Sequence, residues 1–173
     1  MAITPDTKDW TWVLERPCDE CGFNAEDYPT SVFASTIREN AVSWIPFLNR
    51  DDARTRRNAD KWSTLEYACH VRDVYRIFND RLNLMLSDDN PIFLNWDQDE
   101  TALNDRYDLQ DPALVSNELL SAANALAESF EKVEESQWSR AGTRSNGSRF
   151  SVASLGSYGL HDPIHHLWDV SSS

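Results

Sequence analysis

The chain has 173 residues, a formal net charge of −13 and a pI near 4.6. That acidity excludes duplex nucleic acid and an anionic membrane surface as main partners, since both require clustered Lys and Arg. No run approaches the roughly 20 apolar residues of a membrane span, residues Met1 to Asp9 lack the parts of a secretion signal, and three cysteines make no disulfide framework, so a single cytoplasmic domain over 1–173 is expected.

Residues 1–30 carry Pro5, Pro17, Pro29 and Gly22 and show no helical periodicity. They read as an irregular extension that packs on a bundle through Trp10, Trp12 and Phe23. Within it, Cys18-Asp19-Glu20-Cys21-Gly22 resembles half of a zinc knuckle. The matching second CxxC is absent and a closed zinc site needs four ligands, so a packed thiol pair or a reversible disulfide is expected instead. A first helix is predicted from Ser31 to Leu48, because Phe33, Ile37, Ala41, Trp44 and Leu48 recur at steps of three and four. Pro46 kinks it or ends it early. Residues 49–61 are polar and read as a connection.

The second helix starts at a capping box, with Ser63 as N-cap and Glu66 at the third helical position, and runs to about Leu86. Val71, Val74, Phe78, Leu82 and Met85 form its apolar stripe. His70 borders that stripe, flanked by Glu66 and Asp73, either of which could accept its second N–H. The capping role is the simpler account of Glu66. Ser87 to Asp111 is an acidic loop holding eight Asp and Glu residues together with Phe93, Trp96 and Tyr107. Loops of this length in compact domains are usually functional or disordered, and the aromatics favour an ordered cover, with Trp96 and Tyr107 as candidate pocket walls. A third helix starts at Asp111 and Pro112 and presents Val115, Leu119, Ala122, Leu126, Phe130 and Val133. Residues 140–149 form a Gly/Ser-rich connection. Its Arg140, Arg144 and Arg149 could hold a carboxylate or phosphate near the next helix, although a solvated turn is the plainer reading. A fourth helix runs from about Ser151 to Val170. Pro163 either kinks it or breaks it, and Gly159 four residues earlier eases a kink.

Three of the four histidines fall in His161-Asp162-Pro163-Ile164-His165-His166. His161 and His165, four apart, share a helix face, whereas His166 is turned about 100° from His165. His70 is the remaining histidine able to complete a trio. Three histidines with an open fourth position are the pattern of a catalytic divalent-metal site. An isolated HxxxH pair is a weak signal, and histidines that merely cluster are the alternative.

Two segments are similar to motifs of the DinB-like metalloprotein superfamily: Trp62-Ser63-Thr64-Leu65-Glu66-Tyr67-Ala68-Cys69-His70-Val71-Arg72-Asp73, and His161 through Val170. Residues 16–22, 95–99 and 144–147 resemble segments of its actinobacterial members. The superfamily includes thiol-dependent S-transferases and the N-terminal domain of mycothiol-dependent maleylpyruvate isomerase. The resemblance implies an all-α four-helix bundle running up-down-down-up, with the acidic loop as the long crossover. It also implies a divalent metal, zinc or nickel, held by His70, His161 and His165, with His166 matching no ligand position.

The function expected on this basis is a metal-dependent transferase that activates a low-molecular-weight thiol, such as mycothiol, for attack on an electrophile. Trp96 would line the pocket, and Arg144 or Arg149 would bind an acidic group of the thiol. A metal-dependent hydrolase is a second expectation, needing Glu66 or Asp73 to turn inward as base. A non-catalytic metal-binding stress protein is a third. A homodimer is compatible with a bundle of this size, but no sequence feature marks it.

Overall fold

The computed structural model describes residues 9–172. Four helices make the bundle: α1 (Phe33–Ser43), continued after a turn at Trp44 by the short α2 (Ile45–Leu48); α3 (Thr64–Ser87); α5 (Pro112–Glu131); and α6 (Val152–Ser171). Pro46 sits in the first turn of α2, where its missing N–H costs nothing, so the predicted first helix is divided at the proline. The predicted starts of the other three hold. Ser63 and Glu66 form a reciprocal capping box on α3. Asp111 accepts from the amides of Ala113 and Leu114, and Ser151 caps α6.

Side-chain contacts fix the helix directions. Arg72 of α3 bonds Glu118 of α5, and Asn79 further along α3 meets Ser129 further along α5, so these two run parallel. His70 meets Asp162 while Phe78 lies against Gly159, so α3 and α6 are antiparallel. Phe33 packs on Gly156 and Asn40 donates to the Pro163 carbonyl, making α1 parallel to α6. Phe33 also meets Phe130 near the far end of α5. The order is up-down-down-up, as the resemblance implies.

Two parallel helices in sequence require a long crossover, and residues 88–111 supply it. They are not an irregular loop. They contain β1 (Ile92–Phe93) and the short helix α4 (Gln98–Asn104), capped by Asp97. The connection after α5 is also structured: β2 (Ala141–Arg144) and β3 (Arg149–Ser151) form a hairpin, and β1 pairs parallel with β2. These strands are too short to show an alternating hydrophobic pattern. Gly147, at φ +93, makes the hairpin turn.

Helix α6 continues through Pro163, so His161 stays helical. Asn40 in the core ties α1 to that point, while accepting from the Tyr75 hydroxyl (2.8 Å) and the Trp44 indole (3.2 Å). Gly156 lets α6 approach α1. A Cβ there would lie 2.3 Å from Cε2 of Phe33, whose ring Phe130 and Trp138 hold in edge-to-face contact. Gly156→Ala is therefore expected to destabilise the fold by about 1–3 kcal/mol, because the overlap outweighs the roughly 1 kcal/mol gain in helix propensity. Thermal unfolding would test this, and an unchanged or higher Tm would contradict the packing argument.

Candidate metal centre and cavity

A cavity of about 700 Å³ opens between α3, α6, the crossover and the extension. Its wall is built from α6, where residues four apart share a face. Asp162 and His166 form one such pair. His161 and His165 form the adjacent pair, one residue out of phase. The two pairs face different neighbours, and that separates the histidines into two groups.

In the first group, His70, Asp162 and His166 bring three ligand atoms within 4.8 Å of one another. His70 Nε2 lies 3.1 Å from Asp162 Oδ1, and His166 Nε2 lies 3.7 Å from the same oxygen. Ligands of one tetrahedral ion with bonds of 2.0–2.1 Å would be about 3.3 Å apart, so this spacing fits a shared divalent cation. His166 Nδ1 faces Asp169 Oδ2 at 3.0 Å. A carboxylate there holds the Nδ1–H tautomer and leaves Nε2 as the lone-pair donor, the usual outer support of a metal-bound imidazole. His70 is fully buried, flanked by Trp62 and stacked on Trp96 with ring centroids 5.3 Å apart. Burial pushes the Asp162 carboxyl up, but the facing His70 and His166 outweigh that and hold it below the usual carboxylate range. It is ionised at neutral pH.

In the second group, Cys18, Cys21, His161 and His165 bring four ligand atoms within 4.8 Å of one another. Burial, followed by repulsion from His165, pushes the His161 imidazole down to about 4, so it is neutral at pH 7. The structure therefore does not gather His70, His161 and His165 at one point. His70 pairs with the DxxxH positions, and the HxxxH positions turn toward the extension. His166, which matched no ligand position, stands in the cavity group.

The expected partners of His70 also differ. Glu66 is occupied by Arg56, whose Nε donates to Oε2 at 2.8 Å, and by the Ser63 amide. Asp73 accepts from Arg72, Arg76 and the Tyr107 hydroxyl. Neither turns inward. Tyr107 is fully buried in that network and is no pocket wall. The carboxylate beside this group is Asp169, whose Oδ2 faces His166 Nδ1. In the sequence it stands out only as the neighbour three residues beyond His166.

Trp96 and Arg144 both line the cavity. Arg144 donates to Asn95 Oδ1 at 2.6 Å, and its Nε is buried without a hydrogen-bond partner among the described residues. Arg149 is exposed on β3 and takes no part in the wall. Alternation along the strand turns Phe150 inward and Arg149 to solvent. The second cavity arginine is Arg81, at 8% exposure. Burial, followed by repulsion from Arg144, lowers it to about 10, so it remains charged at neutral pH. Arg81 makes no ion pair among the described residues, so one part of the cavity suits an anion. Arg81 lies within the α3 stripe, where sequence pattern gives no sign of a site.

The bundle thus combines this topology with a His/Asp/His donor set at a cavity between α3 and α6. The chain belongs to the DinB superfamily, whose sequence profile matches residues 35–170. No curated protein is similar enough to count as a relative. Among solved structures it is similar to YfiT from Bacillus subtilis, at 15% identity and a TM-score of 0.73 over 91% of each chain. That protein is described as a probable metal-dependent hydrolase with an unusual four-helix bundle topology. Among the described residues no helix is long and apolar enough to cross a membrane.

Proposed function

We propose that the cavity is the active site of a divalent-metal-dependent enzyme acting on a small substrate with an acidic group. The observation that carries this reading is the convergence of His70, Asp162 and His166 on one point of a cavity that also contains Arg81, which makes no ion pair among the described residues. An ion bound there supplies Lewis acidity that favours the deprotonated form of a thiol or of water. Asp162 contributes the negative charge, and Asp169 orients His166. Trp96 holds His70 in place and shields it from solvent. Arg81 and Arg144 bind and orient the acidic group, which positions the reacting atoms.

Thiol transfer is the first reaction we assign to this site. The thiolate is itself the nucleophile, so no separate protein base has to face it. Glu66 and Asp73, the carboxylates expected to serve as bases, are both engaged elsewhere. Hydrolysis is the second reading. Two histidines and a carboxylate are a donor set of hydrolytic zinc sites, and it agrees with the printed description of YfiT. Zinc or nickel, with a thiol such as mycothiol, remains the proposed cofactor pair.

The test is elemental analysis of the untagged protein, paired with turnover of a generic electrophile across a panel of low-molecular-weight thiols. Turnover that needs the ion and rises with thiol would support transfer. Turnover that saturating thiol inhibits would support hydrolysis instead. Failure to take up any ion beyond one dependent on Cys18 and Cys21 would overturn the enzyme reading.

A further inference from the structure

The two cysteines of the extension lie far from the cavity histidines in sequence yet directly against them in space. Cys18 Sγ is 3.7 Å from His165 Nδ1. A sulfur and an imidazole nitrogen on one tetrahedral zinc would be about 3.6 Å apart, given bonds of about 2.3 and 2.0–2.1 Å. His161 is 4% exposed, and its Nε2 has no hydrogen-bond partner among the described residues. A buried polar nitrogen in that state needs an explanation, and a role as a metal ligand is one. The other nitrogen of His165, Nε2, faces Glu20 at 3.8 Å and Asp169 at 3.9 Å. Carboxylates on the far nitrogen are the usual outer support of a metal-bound histidine.

The cysteine loop has a matching form. Gly22 takes φ +75, its amide bonds the Cys18 carbonyl, and the Cys18 amide bonds the Phe23 carbonyl. The Phe23 amide points to the Cys21 sulfur. The loop thus sets both sulfurs side by side, and both thiols are free.

We propose that Cys18, Cys21, His161 and His165 form a closed tetrahedral zinc site that fastens the N-terminal extension to α6. The missing half of the knuckle is supplied by a helix and not by a second CxxC. Thiolate and imidazole donors in this arrangement select zinc. Four protein ligands leave no open position, so the site is structural and distinct from the centre at His70, Asp162 and His166. Its role is to hold Trp10, whose ring lies 5.3 Å from His161 and 5.2 Å from His165, as a wall of the cavity. Asp169 touches both groups, at His165 and at His166.

The test uses the full untagged chain. X-ray absorption at the zinc edge should show a zinc with two sulfur and two nitrogen neighbours. Cobalt exchanged into the protein should give sulfur-to-metal charge-transfer absorption. Cys18→Ser and Cys21→Ser should each lose that absorption and one metal equivalent. His166→Ala should keep both, which separates this site from the proposed active centre. Chelation should expose the extension to proteolysis ahead of the bundle. A zinc without sulfur neighbours would overturn the proposal, as would a native Cys18–Cys21 disulfide or an unchanged cobalt spectrum in the serine variants. If a serine variant fails to fold, the wild-type absorption spectra still decide.

Discussion

Asp162→Ala is expected to abolish turnover and to release the ion of the cavity while leaving the sulfur-ligated metal in place. Asp162 is the one carboxylate of its group, and it faces both imidazoles. Without it, two imidazole nitrogens remain, and two ligands do not make a good site. The loss should exceed the roughly 10–100-fold in metal affinity that outer-shell changes cost. Asp169→Asn should fall within that range, because it weakens the support of His166 without removing a ligand. Competition titration with a chromophoric chelator measures the affinity, and kcat/KM measures the consequence. If Asp162→Ala kept the ion while His161→Ala lost it along with activity, the ion would belong to the HxxxH positions and the present assignment would fail.

Much of the fold is legible in the sequence because its causes are local. The α3 start rests on Ser63 and Glu66, and the α5 start on Asp111 and Pro112. These signals act through backbone amides a few residues away. The apolar stripes act the same way, through helical period. What stayed hidden depends on contacts distant in sequence. The hairpin of β2 and β3 is held by β1, from another part of the chain. The grouping of the histidines is hidden for a related reason. In His161-Asp162-Pro163-Ile164-His165-His166, two i, i+4 pairs run side by side, and nothing local says which pair faces α3. That is settled by where the extension lies, with Trp10 and Phe23 packed on His161. For the same reason Cys18 and Cys21 looked like an incomplete site when read alone. Cys18 meets His165 across a separation of 147 residues.

Asp73→Ala is expected to destabilise the protein by about 3 kcal/mol, toward the lower end of the range for breaking a buried ion pair. Arg72 is 3% exposed and bonds Asp73 through both Nε and Nη2. Removing the carboxylate leaves that guanidinium buried, with Glu118 and Gln110 as its remaining partners. The Tyr107 hydroxyl, bonded to Asp73 at 2.5 Å, loses its acceptor as well. Burial pushes the Asp73 carboxyl up, but the hydrogen bonds from Arg72 and Tyr107 and the charge of Arg76 outweigh it and lower it overall. The stability it contributes is therefore fully present above the unfolded aspartate value of about 3.9, and is lost as pH falls from there through the lower folded value. Urea unfolding at a series of pH values should show the gap between wild type and variant narrowing below about pH 4. A gap independent of pH would mean that the loss is one of packing and not of charge. The effect extends to the site, because Tyr107 fastens the crossover to α3 and the crossover carries Trp96 onto His70. Asp73→Ala should thus loosen the cavity wall even where the bundle stays folded, and Trp96 should become more accessible to a fluorescence quencher at neutral pH.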